Sequence, residues 1–299
     1  MTSVAVLGMG RMGAAMAGRL ASCGFDVVVY NRSAERAHEV ASSIGARQGS
    51  TPAAAVAGSD VAITMLSDDA AVQNVYAGAT GIVAGLDERT VAVDMSTVLP
   101  GTIQGLESAV RATGAGILDA PVSGSVATAT SGGLTVMVGG EMVDLARARP
   151  VFDALARHVV HVGGLGAGAT VKLAVNTIVF GLSQAISEAL VLAEKAGVDR
   201  AAAYDVFRAS AVGAPFMEYK RAAFLEPETT PTAFALELAE KDLRLILELA
   251  DRLGVAMPQA RTNIEMVRAA GAGDPKRDFA TVAAYLRAGS APTVPGGDD

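Results

Sequence analysis

Short apolar runs alternate with helix-like stretches through the first half of the chain, and this pattern predicts an α/β fold. Each run is bounded by glycine or polar residues, as buried strands usually are. The predicted strands are residues 4–7, 27–30, 61–66, 91–95, 117–120, 134–139 and 159–162. Because helical segments separate them, we expect a mainly parallel sheet with right-handed crossovers.

After Gly168 the strand pattern stops and helical periodicity takes over. The predicted helices are residues 170–195, 201–209, 233–253, 259–270 and 278–287, with the prolines at 215, 227, 231 and 258 marking turns. The pattern therefore predicts a sheet domain over residues 1–164, a long interdomain helix over 165–195, a helical domain over 196–288 and a loose tail over 289–299.

The first predicted strand leads into the first predicted helix through Gly8-Met9-Gly10-Arg11-Met12-Gly13. In a strand–turn–helix context this Gly-x-Gly-x-x-Gly spacing indicates a dinucleotide site. The first glycine permits a tight turn, the second lets backbone approach a pyrophosphate, and the third lets helix pack on strand. The alternative is a glycine-rich turn that binds nothing.

The second predicted strand ends in Asn31-Arg32-Ser33, without the acidic residue that usually binds the ribose of NAD. Arg32 can hold a 2′-phosphate with its planar donors, and Ser33 can add a hydroxyl. The sequence therefore predicts NADPH, with weaker use of NADH possible. The alternative is that Arg32 is a solvated loop residue.

Further candidate residues follow the other strands. Leu66-Ser67 and Ser96-Thr97 come at strand ends, and ligands of parallel sheets bind at that edge. Lys172 and Asn176 are four residues apart and share one helix face. The alternative for Lys172 is a solvated ammonium whose stem lies on the core.

Composition narrows the possible partners. Of the 299 residues, 51% are hydrophobic and 18% are charged, so a sizeable core is expected. The net charge of -7, without a basic cluster, argues against nucleic acid as a partner.

The single cysteine, Cys23, excludes an intramolecular disulfide and suits the reducing cytoplasm. We expect this small side chain to be buried. No stretch has the uninterrupted apolar composition of a membrane span, and the three histidines have no metal-binding spacing.

Four motifs occur in order, and together they resemble the β-hydroxyacid dehydrogenases over nearly the whole chain. They are the glycine loop, Asp119-Ala120-Pro121-Val122-Ser123-Gly124, Gly166-x-Gly168 with Lys172 and Asn176, and Lys241-Asp242-Leu243. The resemblance implies a Rossmann-type doubly wound parallel sheet with a second, all-helical C-terminal domain for substrate binding and dimerisation. A homodimer or homotetramer is expected.

The resemblance also implies a reversible hydride transfer between the nicotinamide and a small β-hydroxyacid or semialdehyde. Lys172 matches the family's general acid/base, Asn176 would orient it or the substrate, and desolvation would lower the pKa of the lysine. The implied substrate contacts are Ser123, Gly124, Ser125, Thr97, Phe234 and Asp242. The implied cofactor contacts are the glycine loop, residues 31–33, Leu66, Ser67, Thr97 and Lys241.

One departure leaves the substrate open. Ser125 stands where the family usually has a second glycine. If that position requires a positive φ, a serine costs about 1 kcal/mol. Two alternative functions are an imine reductase-like enzyme acting on C=N and a non-catalytic nucleotide-binding scaffold, and Lys172 argues against both.

Overall fold

A computed structural model describes residues 1–290, so residues 291–299 of the predicted tail lie outside the described part. The chain divides into two compact units, Met1–Leu173 and Ala174–Asp299. This division falls inside a single long helix, and the domain bounds predicted at residues 164 and 195 stay a prediction.

The first unit is built on one sheet. Within residues 1–290 its strands are β1 (Ser3–Leu7), β2 (Asp26–Tyr30), β3 (Arg47–Gln48), β4 (Val61–Thr64), β5 (Val91–Asp94), β6 (Gly116–Asp119), β7 (Val122–Ser123), β8 (Leu134–Gly140) and β9 (Ala156–Gly163). The order β3-β2-β1-β4-β5-β6 is parallel throughout; β8 then pairs antiparallel with β6 and β7 and parallel with β9. The predicted doubly wound, mainly parallel sheet is confirmed.

Helices cover both faces of this sheet. They are α1 (Arg11–Ser22), α2 (Ala34–Ile44), α3 (Pro52–Val56), α4 (Asp69–Tyr76), α5 (Pro100–Gln104), α6 (Glu107–Arg111), α7 (Val126–Ser131) and α8 (Met142–Leu155), with a 3₁₀ turn at Ile82–Gly85. Val4 and Val6 of β1 belong to one core cluster, and Ala5 and Leu7 belong to another. Because successive side chains point to opposite faces, a strand buried on both sides becomes a continuous apolar run.

The second unit is helical. The helices are α9 (Ala167–Lys195), which begins in the first unit, α10 (Arg200–Ala209), α11 (Pro215–Leu225), α12 (Leu236–Leu253), α13 (Pro258–Gly271) and α14 (Val282–Gly289), with a 3₁₀ turn at Phe279–Thr281. The predicted all-helical second domain is confirmed.

Some predictions for this unit were wrong. Pro215 and Pro258 were predicted to mark turns, but each begins a helix, α11 and α13 respectively, where the missing N–H of proline costs nothing. Residues 233–235 were predicted to be helical but precede α12. Residues 233 and 234 form a bend, and Ala235 is extended because it pairs with Asp278 in a short antiparallel bridge and Leu236 N–H donates to Arg277 O at 2.9 Å.

Cys23 was predicted to be buried. It is exposed, because it follows the last turn of α1.

Helix α9 is long and apolar enough to cross a membrane by length and composition alone, which the sequence pattern did not predict for any segment. Its mean hydropathy is 1.5 over its most apolar window. A core helix passes the same test, and α9 buries the polar side chains of Asn176, Ser183 and Gln184.

Candidate active site

The glycine loop has the geometry that a dinucleotide needs. Gly8 has φ +107°, and a Cβ there would lie 2.3 Å from Met65 O, while a Cβ at Gly13 would lie 1.9 Å from Gly8 O. Among the described residues, no atom lies within 4 Å of a Cβ built on Gly10. Gly8 and Gly13 are therefore required by the turn and by packing, whereas Gly10 leaves open space at the start of α1. Backbone N–H groups at such a helix start bind phosphate.

The end of β2 meets this loop through Asn31. Its Oδ1 accepts a hydrogen bond from Met9 N–H at 3.0 Å, and its Nδ2 donates to Ser33 O at 3.3 Å. The Ser33 hydroxyl caps α2 by accepting from Arg36 N–H at 3.3 Å. The Arg32 side chain, predicted to bind the 2′-phosphate, is exposed here.

Arg36 was missed in the sequence. Its Nε donates to Met9 O at 3.1 Å, so a second guanidinium stands beside the glycine loop. The signal was its position four residues after Arg32, in the first turn of a helix that begins at the cofactor edge. Glu39 pairs with the far side of this guanidinium at 3.0 Å.

A buried carboxylate joins the ends of β4 and β5. Asp94 Oδ2 accepts from the Thr64 hydroxyl at 2.5 Å and from the Ser96 hydroxyl at 3.1 Å. Ser96 Oγ in turn accepts from Leu66 N–H at 2.9 Å. Burial raises the pKa of Asp94 to about 6, although the Thr64 and Ser96 donors act in the opposite direction. Leu66 and the residues next to Ser96 are thus fixed by a network that sequence inspection did not find.

The end of β6 reaches the start of α9 through Asp119. Its Oδ1 accepts from Gly166 N–H and its Oδ2 from Ala169 N–H, both at 2.7 Å. Desolvation raises the pKa of this carboxyl, and the amide hydrogen bonds counteract the rise. The motif containing Asp119 was recognised in the sequence, but this residue received no role.

The predicted anion cradle lies just beyond, at β7. Ser123 is half-buried, and Gly124 is exposed with φ +143°. Ser125 is extended, with φ -96°, and caps α7 by accepting from Thr128 N–H at 3.2 Å. The positive φ therefore belongs to Gly124, and the backbone strain considered for Ser125 is absent.

Lys172 and Asn176 occupy successive turns of α9. Lys172 is half-buried and Asn176 is buried. In the second unit, Asn176 Nδ2 donates to Asp242 Oδ2 at 2.8 Å, and Lys241 Nζ lies 2.8 Å from Asp242 Oδ1. The structure thus brings together three predicted site residues, Asn176, Lys241 and Asp242. The two oxygens of the Asp242 carboxylate contact the side chains of the other two residues.

Phe234 belongs to an aromatic cluster of the second unit. Its ring centroid lies 6.3 Å from that of Phe180 and 5.5 Å from that of Phe279. Phe180 follows Asn176 by one helical turn, so its i+4 spacing was the missed signal. Of the remaining predictions, Thr97 is half-buried and follows Ser96, whereas Arg11 and Ser67 are exposed. No group of three metal-binding side chains occurs within residues 1–290.

Comparison with known proteins identifies the family. Residues 3–163 match the NAD-binding domain of 6-phosphogluconate dehydrogenase, and residues 166–286 match the NAD-binding family of NADP-dependent 3-hydroxyisobutyrate dehydrogenase. The chain belongs to the β-hydroxyacid dehydrogenase family. It is an NAD(P)-dependent oxidoreductase of the class that acts on CH–OH groups.

Two members of this family match almost the entire chain. Glyoxylate/succinic semialdehyde reductase 1 of Arabidopsis thaliana is 34% identical over 282 residues, covering 93% of this chain and 96% of the relative. The structure of 3-hydroxyisobutyrate dehydrogenase from Mycobacterium tuberculosis with L-serine has a TM-score of 0.84 and 31% identity, covering 96% and 99% of the two chains.

An imine reductase from Pseudomonas sp. is also similar in structure. Its TM-score is 0.63 at 22% identity, covering 95% of this chain and 99% of that one. At that identity the likeness extends to the fold alone.

Proposed function

We propose that this enzyme is an NADPH-dependent reductase of a small semialdehyde carboxylate, working reversibly on the corresponding β-hydroxyacid, with Lys172 as general acid/base. The main support is the hydrogen-bonded frame around Asp119. This residue fixes the amide of Ala169, one turn before Lys172, and its strand leads directly into Ser123 and Gly124. The proposed proton donor and the proposed anion cradle are both connected to the end of β6, which supports this assignment.

Each residue has a distinct task in this reaction. The Ser123 hydroxyl and the Gly124 N–H are donors for the substrate carboxylate. The Lys172 ammonium gives a proton to the carbonyl oxygen during reduction and regains it from the hydroxyl during oxidation. The glycine loop would hold the NADPH, which would supply the hydride. Asn176, anchored by Asp242, orients the lysine or the substrate.

The preference for NADPH rests on charge at the end of β2. Residues 30–34 contain no carboxylate and include Arg32. The adjoining first turn of α2 carries Arg36 beside the loop, together with one carboxylate, Glu35. A 2′-phosphate is stabilised by such donors, and a carboxylate would repel it. NADH lacks that phosphate, so we expect it to bind more weakly.

The proposed substrate class also draws on the relatives. The Arabidopsis relative is named for glyoxylate and succinic semialdehyde, both small aldehydes carrying a carboxylate. One substrate carboxylate matches the donors of the proposed cradle at Ser123 and Gly124. We further propose a homodimer or homotetramer located in the cytoplasm, which size-exclusion chromatography and cell fractionation would test.

A spectrophotometric panel tests the proposal. NADPH and NADH are each offered with glyoxylate, succinic semialdehyde, methylmalonate semialdehyde, tartronate semialdehyde and a cyclic imine. The variant Lys172→Ala should lose turnover and keep NADPH binding, while Lys195→Ala, at the other end of α9, should behave as wild type. Turnover of the imine alone would favour an imine reductase, and normal turnover by Lys172→Ala would refute the catalytic role.

A further inference from the structure

We propose that Asp119 is a positioning residue that fixes the place of Lys172 relative to Ser123 and Gly124. This inference rests on the proposed role of Lys172. Asp119 itself would touch neither substrate nor cofactor; it acts through the first turn of α9.

Each oxygen of the Asp119 carboxylate accepts its own backbone hydrogen bond at the start of α9. Its two oxygens each take one backbone N–H at 2.7 Å, from Gly166 and from Ala169. Hydrogen bonds to an ionised carboxylate are about twice as strong as neutral ones, and a negative charge is favourable at a helix N-terminus. The helix that carries Lys172 is therefore capped by a side chain from β6, which lies 47 to 50 residues earlier in the chain.

Two glycines leave the space that the Asp119 carboxylate occupies. A Cβ on Gly139 of β8 would lie 2.3 Å from Asp119 Oδ1, and a Cβ on Gly168 of α9 would lie 2.9 Å from Asp119 Oδ2. Backbone thus approaches the carboxylate closely from the sheet and from the helix. Asp119 is 1% exposed, so water has almost no access to replace these contacts.

This arrangement couples the acid/base to the anion cradle over a short path. Lys172 follows Ala169 by three residues, and Ser123 follows Asp119 by four. A misplacement of about 1 Å at a reacting group costs roughly 100-fold in rate. An Asp119 that served only stability would instead leave the turnover of folded protein unchanged.

The first test replaces one oxygen of the carboxylate. In Asp119→Asn the amide group presents an NH₂ to one of the two N–H donors, so the first turn of α9 loses an acceptor. We expect kcat to fall by about 10- to 100-fold, with KM and the Kd for NADPH within about threefold. Hydrogen exchange of residues 166–172 should accelerate.

The matched control is Asp144→Asn. Asp144 of α8 is also a buried carboxylate of the first unit, 2% exposed, and is ion-paired with Arg111 at 2.7 Å. This variant should lose stability without losing kcat. If Asp119→Asn folds poorly, Asp119→Ser keeps a smaller acceptor, and its kcat decides the question in the same way.

A double-mutant cycle shows whether Asp119 acts through Lys172. In the Lys172→Ala background, adding Asp119→Asn should change the residual turnover by less than about twofold, because coupled residues are not additive. The same loss in both backgrounds would overturn the positioning role, as would a wild-type kcat for Asp119→Asn. Normal turnover by Lys172→Ala alone would instead refute the proposed function.

Discussion

Asp94 and Asp119 are register partners on the adjacent strands β5 and β6, and both carboxylates are buried. Asp94 accepts from Thr64 and Ser96 at the ends of β4 and β5. Asp119 accepts from Gly166 N–H, just before α9, and from Ala169 N–H in its first turn. Two neighbouring acids thus organise separate parts of the same sheet edge. Their mutual repulsion also contributes to the raised pKa of Asp94.

The raised pKa of Asp94 predicts a pH-dependent stability. Its folded value of about 6 exceeds the ordinary 3.8, so between these values the folded protein retains a proton that the unfolded chain releases. The protonated Asp94 carboxyl therefore contributes its full share of stability below pH 4, and this share is lost as the pH rises through 6. The free energy of unfolding of wild type, measured relative to Asp94→Asn, should therefore fall by about 1 kcal/mol between pH 5 and 7.5.

Urea denaturation at the two pH values measures this difference. Asp153→Asn is the control, because Asp153 is an exposed carboxylate on α8. The free energy of unfolding of Asp153→Asn, measured relative to wild type, should change little between the two pH values. A pH-independent difference for Asp94→Asn would contradict a buried carboxyl that titrates near pH 6.

Replacement of Arg32 should change cofactor choice. Arg32→Ala tests the proposed contact with the 2′-phosphate. Charged hydrogen bonds of this kind are worth about 1.5–3 kcal/mol, so the variant should weaken NADPH binding by about 10-fold or more. NADH binding should remain within about twofold, because NADH has no phosphate to lose. Fluorescence titration with each cofactor measures the two constants.

Arg47→Ala is the matched control for Arg32→Ala. Arg47 is an exposed arginine of β3 that pairs with Asp26 at 2.7 Å. The Arg47→Ala variant should leave the binding of both cofactors unchanged. If Arg32→Ala weakens the binding of NADPH and NADH equally, the arginine supports the loop and does not select the 2′-phosphate.

The glycine loop and the sheet could be predicted because their signals are local. Gly8, Gly10 and Gly13 lie within six residues, and their roles follow from the single strand–turn–helix unit that contains them. The parallel strands are short apolar runs because helices cover both faces of the sheet. Each of these inferences needs only neighbouring residues.

The supporting contacts could not be predicted because they join distant segments. Asp119 caps a helix that begins more than 40 residues later, and Asp94 was predicted merely as part of a strand over residues 91–95. Nothing in either local sequence shows that the carboxylate is buried or which amides it meets. The position of Pro215 was ambiguous for another reason: proline is equally compatible with a turn and with the first turn of a helix.

Ser125 should matter for stability more than for substrate binding. Its hydroxyl and N–H are both used by Thr128, in a reciprocal cap of α7. Ser125→Ala should therefore destabilise the protein by about 1 kcal/mol, and Ser125→Gly by a few tenths, since glycine is a tolerated cap residue. KM for the best substrate of the panel should stay within about threefold in Ser125→Gly. A large change in KM would instead assign the hydroxyl to the substrate.

A buried ion pair in the second unit should be among its most sensitive features. Lys220 Nζ lies 2.7 Å from both carboxylate oxygens of Asp278 and 4.5 Å from the centroid of the Phe279 ring. Asp278 Oδ2 also accepts from the N–H groups of Ala233, at 2.8 Å, and of Phe234, at 3.1 Å. Asp278 therefore both neutralises Lys220 and fixes the bend at residues 233–234.

Lys220→Met leaves the Asp278 carboxylate buried without its cation, which typically costs about 3–5 kcal/mol. The control is Arg221→Met, at the next position of α11, which breaks an exposed pair with Asp205 of α10. Such pairs contribute about 0–1 kcal/mol. Adding Asp278→Asn to Lys220→Met should recover part of the loss, because the amide removes the buried charge and still offers an acceptor to Phe234 N–H. Urea denaturation measures all three variants, and equal costs for Lys220→Met and Arg221→Met would show that burial gives this pair no special weight.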